Sequence, residues 1–172
     1  MHTADHERIA GVAAKKWSFF ERSPGGYLIL SALAGIYLGF GIALIFSVGG
    51  PLAAAGSPVV TLVMGVAFGI ALTVVIFAGS ELFTGNNLLV MAWASQRITT
   101  NELMRNWLIV YLANFAGALG LVLLVFLSDH WQMANGAVGA NAVSIAAAKV
   151  ALSFSEAFFR GILCNILVCL AV

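Results

Sequence analysis

The chain has 172 residues, of which 62% are hydrophobic and 9% charged, with a formal net charge of +1. A soluble domain carries roughly 25% charged residues, so this composition excludes a water-covered globule and marks an integral membrane protein. No basic stretch is interleaved with aromatics, which leaves nucleic acid without a footing as a partner.

In chain order, MHTADHERIA has no short apolar core behind a basic start, and no cleavable signal peptide is expected. Residues 6–20 read as an amphipathic helix: Ile9, Val12, Ala13, Trp17 and Phe20 share a stripe, while Glu7, Arg8, Lys15 and Lys16 are polar. Such a helix is expected in the membrane interface as an anchor, with gating as the alternative role. His2 and His6 stand at i, i+4 but lack a third ligand, so they read as a solvated tail rather than a metal site. Ser23-Pro24-Gly25-Gly26 is expected to break the helix. Residues 1–26 therefore form a cytoplasmic N-terminal unit and residues 27–172 a transmembrane domain.

Residues 27–48 are long enough to cross a hydrocarbon core of about 30 Å. Gly35 and Gly39 form a GxxxG face that lets another helix approach closely. Gly49-Gly50-Pro51 to Gly56 reads as an uncharged turn, and the second span, residues 58–84, starts at Pro58. This second span is the informative one. It is interrupted by Gly65, Gly69 and Gly79 and closes on Glu81, Phe83 and Thr84. A span that stops hydrogen-bonding to itself needs protein or a water-filled cavity beside it, and transporters build substrate sites on such segments. Glu81 reads as part of a polar network and not as a proton donor.

A polar connection with Gln96, Arg97, Glu102 and Arg105 leads to the third span, residues 107–127, which carries Asn114 and small residues at Ala113, Gly117 and Gly120. A polar outer segment with Asp129 and His130 follows. The fourth span is expected over residues 149–172, with Glu156 and Arg160 placed to pair at i, i+4. Cys164 and Cys169, five apart, fall on different faces and read as buried, inert thiols. Lysine and arginine concentrate before the first span and between the second and third, which puts the N-terminus in the cytoplasm. The last span ends on NILVCLAV without a cap or basic flank, so the chain reads as a fragment of something longer.

Two stretches carry a resemblance. FAGSELFTGN, residues 77–86, resembles the first signature of the formate/nitrite transporter family, and GILCNILVCLAV, residues 161–172, resembles its second. The resemblance implies an all-α transmembrane, aquaporin-like bundle with an inverted repeat of six spans, four of them present here. It also implies a homopentamer in a bacterial inner membrane, with one pore per protomer. It places Phe68 and Leu72 in a pore-narrowing loop, makes Thr84 the hydroxyl that faces a histidine of the absent fifth span, and adds Lys149, Asn165 and Val168 to the pathway. His130 lies in the outer segment and does not replace the missing histidine.

The implied function is a channel or transporter for a small monovalent anion, nitrite first and formate second, without cofactor or metal. In that picture Lys149 attracts the anion, Phe68, Leu72 and Val168 strip water, and Thr84 and Asn165 make polar contacts. A reading of another class is a non-conducting membrane assembly subunit, since half the pore is missing. An enzyme is disfavoured, because no carboxylate pair, no nucleophile with a base and no metal-ligand cluster is legible.

Overall fold

Four helices among the described residues are long and apolar enough to cross a membrane. A computed structural model of the chain describes the backbone of residues 2–171 and the side chains of residues 7–171. The side chains of His2 and His6 lie outside the described residues. The elements are α1 (His2–Arg22), α2 (Pro24–Ala54), α3 (Val60–Phe77), α4 (Phe83–Asn86), α5 (Leu89–Ala94), α6 (Thr100–Leu127), a short 3-10 turn (His130–Gln132), α7 (Ala137–Val150) and α8 (Phe154–Ala171). The fold class is the expected all-α transmembrane bundle.

The stripe of α1 is rotated from expectation. Ala10, Ala13 and Trp17 are buried, at i, i+3 and i+7, while Val12 is 54% exposed. Ala13 and Trp17 pack with Leu89, Ala92, Ile98 and Leu103, so the apolar face of α1 covers α5 and the first turn of α6. Arg105 stacks its guanidinium 5.9 Å from the Trp17 ring, a cation–π contact that ties the same face down.

The break between α1 and α2 is a single residue, Ser23, because Pro24 occupies the first turn of α2, where its missing N–H costs nothing. Helix α2 continues through Gly49, Gly50 and Pro51, the first part of the expected turn, and ends at Ala54. A Cβ on Gly49 would sit 2.5 Å from Met64 Sδ, and one on Gly50 2.8 Å from Val138 Cα. These two glycines are there for close helix approach, not for a bend. The chain turns only after Ala54, at Gly56 with φ +63°.

Helix α2 is the centre of the bundle, packed on α3, α6 and α7. The GxxxG face does what its spacing suggests. A Cβ on Gly35 would strike the Asn114 carbonyl oxygen, one on Gly39 would come 2.5 Å from Leu121 Cδ2, and one on Gly117 would strike the Ala32 carbonyl. Because two of these obstacles are backbone, relief requires the helices to part. Gly117→Ala is therefore expected to destabilise the protein by about 1–3 kcal/mol, the usual range for overpacking. Gly120→Ala, with open space around it, should be neutral. The check is heat-induced loss of folded protein in detergent.

Helix α6 begins at Thr100, two turns before residue 107, because Thr99 and Glu102 form a capping box. Thr99 N–H donates to Glu102 Oε2 (2.6 Å) and Glu102 N–H to Thr99 Oγ1 (3.3 Å). The same device moves the fourth span. Ser153 N–H donates to Glu156 Oε2 (2.9 Å) and Glu156 N–H to Ser153 Oγ (3.4 Å). The span therefore starts at Phe154, and Glu156 caps it instead of pairing with Arg160. Lys149 falls in the last turn of the separate helix α7, which docks on α2 near Gly49 and Gly50. Cys164 is exposed and Cys169 half-buried, and both are free thiols, which corrects the expectation that both are buried.

Candidate functional site

The second span breaks once, and not where most of its glycines are. Gly65 and Gly69 lie on the exposed side of a continuous α3 with open space around them. The stop comes at Gly79, φ +64°. Its N–H donates to Ile76 O (3.1 Å) and the Ser80 N–H to Val75 O (3.1 Å), the paired bonds of a Schellman motif with glycine at the left-handed position. Leu82 then folds back onto Val75 and Ala34, and the chain re-enters helix as α4. AFGIALTVV, expected to be a pore-narrowing loop, lies within the continuous helix α3, and its one glycine, Gly69, does not take the left-handed conformation.

A break inside a membrane leaves backbone groups without helical partners, and protein must supply them. Asn114 of α6 does most of this. Its Nδ2 donates to the Glu81 carbonyl (2.9 Å) and the Ser31 carbonyl (2.6 Å), and its Oδ1 accepts from the Phe83 N–H (2.9 Å). Trp107 Nε1 donates to the Asn86 carbonyl (3.0 Å).

Beside the break, a polar network joins three helices and the α4 segment. Lys16 Nζ lies 2.7 Å from Glu81 Oε2 and donates to Asn86 Oδ1 at 2.8 Å. The Tyr27 hydroxyl accepts from Asn106 Nδ2 (2.6 Å) and Asn86 Nδ2 (3.0 Å) and donates weakly to Glu81 (3.5 Å). Tyr27, Asn86 and Asn106 are fully buried. Glu81 is thus a network residue, as expected, and its ionic partner is Lys16, expected only to lie on the polar side of α1. Sequence reasoning missed Lys16, Tyr27, Asn86 and Asn106. Only Asn86 carried a signal, as the last residue of the first signature.

Two hollows lie beside the break and share Leu82 in their walls. One, of about 190 Å³, is lined by Lys16, Leu72, Val75, Ser80 and Leu82 among others. The other, of about 400 Å³, is an apolar groove running from Trp131 past Tyr111 and Asn114 to Thr84 and Leu82. Leu82 borders both; it lies inside the first signature but is not among the residues singled out there.

The residues singled out from the sequence are partly brought together. Leu72 lines the smaller hollow and packs against the cluster of Ala34, Val75 and Leu82. Thr84 lines the groove, and its carbonyl accepts from Cys169 Sγ (3.6 Å), which in turn accepts from Asn165 Nδ2 (3.5 Å). Asn165 Oδ1 is buried with no partner among the described residues. Val168 follows Asn165 by three residues and is half-buried. Phe68 sits one turn before Leu72, against Gly41. Lys149 is exposed on α7 and joins none of them.

The family model described as "Formate/nitrite transporter" matches residues 3–172. The chain belongs to the formate/nitrite transporter family. Among curated members of the family, it is 41% identical over 147 residues to "Formate channel FocA" of Haemophilus influenzae, covering 83% of this chain and 52% of that one. It is 37% identical over 179 aligned positions to "Nitrite transporter NirC" of Escherichia coli K12, covering 100% of this chain and 63% of that one. The chain thus spans between half and two thirds of these relatives. A solved "FNT family ion channel" superposes with a TM-score of 0.88 at 36% identity, over 98% of this chain and 66% of that one. A "Pentameric formate channel with formate bound" superposes at 0.81 and 34%, over 88% and 59%. Membership in the formate/nitrite transporter family, with four apolar spans, makes this a multi-pass membrane protein whose fold is that of the family's channels.

Proposed function

We propose that the chain forms part of a channel for a small monovalent weak-acid anion, in a homopentamer of the bacterial inner membrane with its N-terminus in the cytoplasm. The single observation that carries this reading is the Gly79 stop: a broken span held open by Asn114, with hollows on both sides of Leu82. The pathway runs past Leu72 and Leu82 as apolar constrictions, with Phe68 and Val168 adjoining, and past Thr84 and Asn165 as polar contacts. Apolar constrictions gate by dewetting, and a lone charge is costly to dehydrate there. The unpartnered Asn165 Oδ1 fits a site whose polar atoms await a permeant or its water.

Nitrite and formate are both within this chemistry. The wording of GIALTVVIFAGSELFTG and FFRGILCN favours nitrite, while the higher identity to a formate channel favours formate. Side-by-side uptake of the two anions into liposomes carrying the full protein decides between them. A protein that assembles but passes neither anion would support the non-conducting subunit instead.

Lys149 is proposed to raise the local anion concentration at the outer mouth. It is solvent-exposed on α7 without an ion-pair partner among the described residues, so its field is open to salt screening. Lys149→Gln should lower initial uptake about two- to fivefold at low ionic strength and little at high salt, with Lys149→Arg near wild type. Equal uptake by Gln and wild type at matched assembly would remove Lys149 from the pathway.

A further inference from the structure

We propose that the hollow between Leu72 and Leu82 is an anion subsite, in which Ser80 Oγ and Lys16 Nζ bind a small planar oxyanion on the α1 side of the constriction. The proposal rests on the channel reading above and adds a binding position that the pathway residues do not include.

Three observations support it. Ser80 is 8% exposed, and its Oγ has no hydrogen-bond partner among the described residues. Buried hydroxyls are nearly always paired, and an unpaired one costs about 1–3 kcal/mol, so Ser80 is placed to serve something absent from the folded chain. Second, Ser80 and Lys16 line the same hollow, together with Gly79 and Gly85, whose missing side chains leave room beside the backbone. Its volume of about 190 Å³ suits a three-atom anion with some of its water, since a water takes about 30 Å³. Third, Lys16 has capacity left. An ammonium has three donors, and two are engaged by Glu81 and Asn86, which leaves one for a ligand.

The charges set the strength of binding. Glu81 already balances Lys16 at 2.7 Å, so the anion meets a neutral pair instead of a bare cation. Binding is then weak enough for release, as conduction requires. A Lys16 without Glu81 would hold the anion too tightly to pass it on. Leu72 and Leu82 form the apolar lid that the anion must next cross.

Ser80→Ala is a clean probe, because the hydroxyl it removes has no partner in the protein. The measurement is the half-saturating concentration for formate and nitrite uptake into liposomes of the full protein with one orientation selected, the anion being offered from the α1 side or from the other. Loss of one hydrogen bond to a charged ligand corresponds to about a tenfold rise in that concentration. The rise is expected for anion offered from the α1 side and should be smaller from the other. Ser80→Thr, which keeps the hydroxyl, should stay near wild type and controls for folding. A half-saturating concentration for Ser80→Ala equal to that of wild type from the α1 side, with uptake intact, would overturn the subsite and leave the channel reading standing. Absence of uptake by the wild type itself would overturn both.

Discussion

Asn114→Leu is expected to unseat the second span. Leucine matches asparagine in size but cannot serve the Glu81 carbonyl, the Ser31 carbonyl or the Phe83 N–H, all within 2.9 Å of the Asn114 amide. Two of these groups belong to the break and lose their partner outright. Each buried unsatisfied group costs about 1–3 kcal/mol, so a combined loss of roughly 2–6 kcal/mol is expected. In the membrane the penalty is not relieved by water. The check is thermal unfolding in detergent, followed by loss of the native oligomer on size exclusion. Phe115→Leu, one residue on and 56% exposed, should leave the transition in place. If Asn114→Leu unfolds with the wild type, the amide is not what holds the break open.

The break was legible in the sequence, but its position was only partly so. Gly65, Gly69 and Gly79 looked alike as interruptions, and a glycine stops a helix only when the chain takes the left-handed conformation there. Gly79 does, and the chain beyond it folds back so that Leu82 packs with Val75, whereas Gly65 and Gly69 stay within α3. Gly49 and Gly50 failed in the opposite sense. Next to Pro51 they suggested a turn, yet they mark where α3 and α7 press against α2. Local pattern cannot tell these uses of glycine apart, because the deciding atoms, Met64 Sδ and Val138 Cα, come from elsewhere in the chain.

The fourth span shows a different limit. Ser153 and Glu156 spelled a capping box that the hydropathy reading overrode, and Lys149 was moved into a span it does not belong to. Lys16 was hidden by averaging. A lysine on the polar side of an amphipathic helix is usually solvated, and only the return of Glu81 and Asn86 from residues 65 and 70 positions later gives it a buried partner. What the sequence did carry was the set of chemistry-bearing residues around the first signature. Glu81, Thr84 and Leu72 all lie at the break, although their spacing alone did not say which wall each one lines.

Leu72→Ala tests the account most directly. Leu72 lines the smaller hollow and packs against the cluster of Ala34, Val75 and Leu82, the last of which borders both hollows, and it makes no polar contact. Its truncation widens an apolar constriction without adding charge. Each ~1.4 kcal/mol taken off a crossing barrier is a tenfold gain in rate, and shaving a leucine from a dewetted ring is expected to raise flux about three- to tenfold. The measurement is stopped-flow uptake of nitrite and of formate into liposomes, normalised to oligomer content, for wild type and Leu72→Ala. A several-fold rise in uptake with unchanged assembly is the predicted result. Unchanged uptake with normal assembly would mean that the anion does not pass the Gly79 break, and the proposed pathway would be wrong.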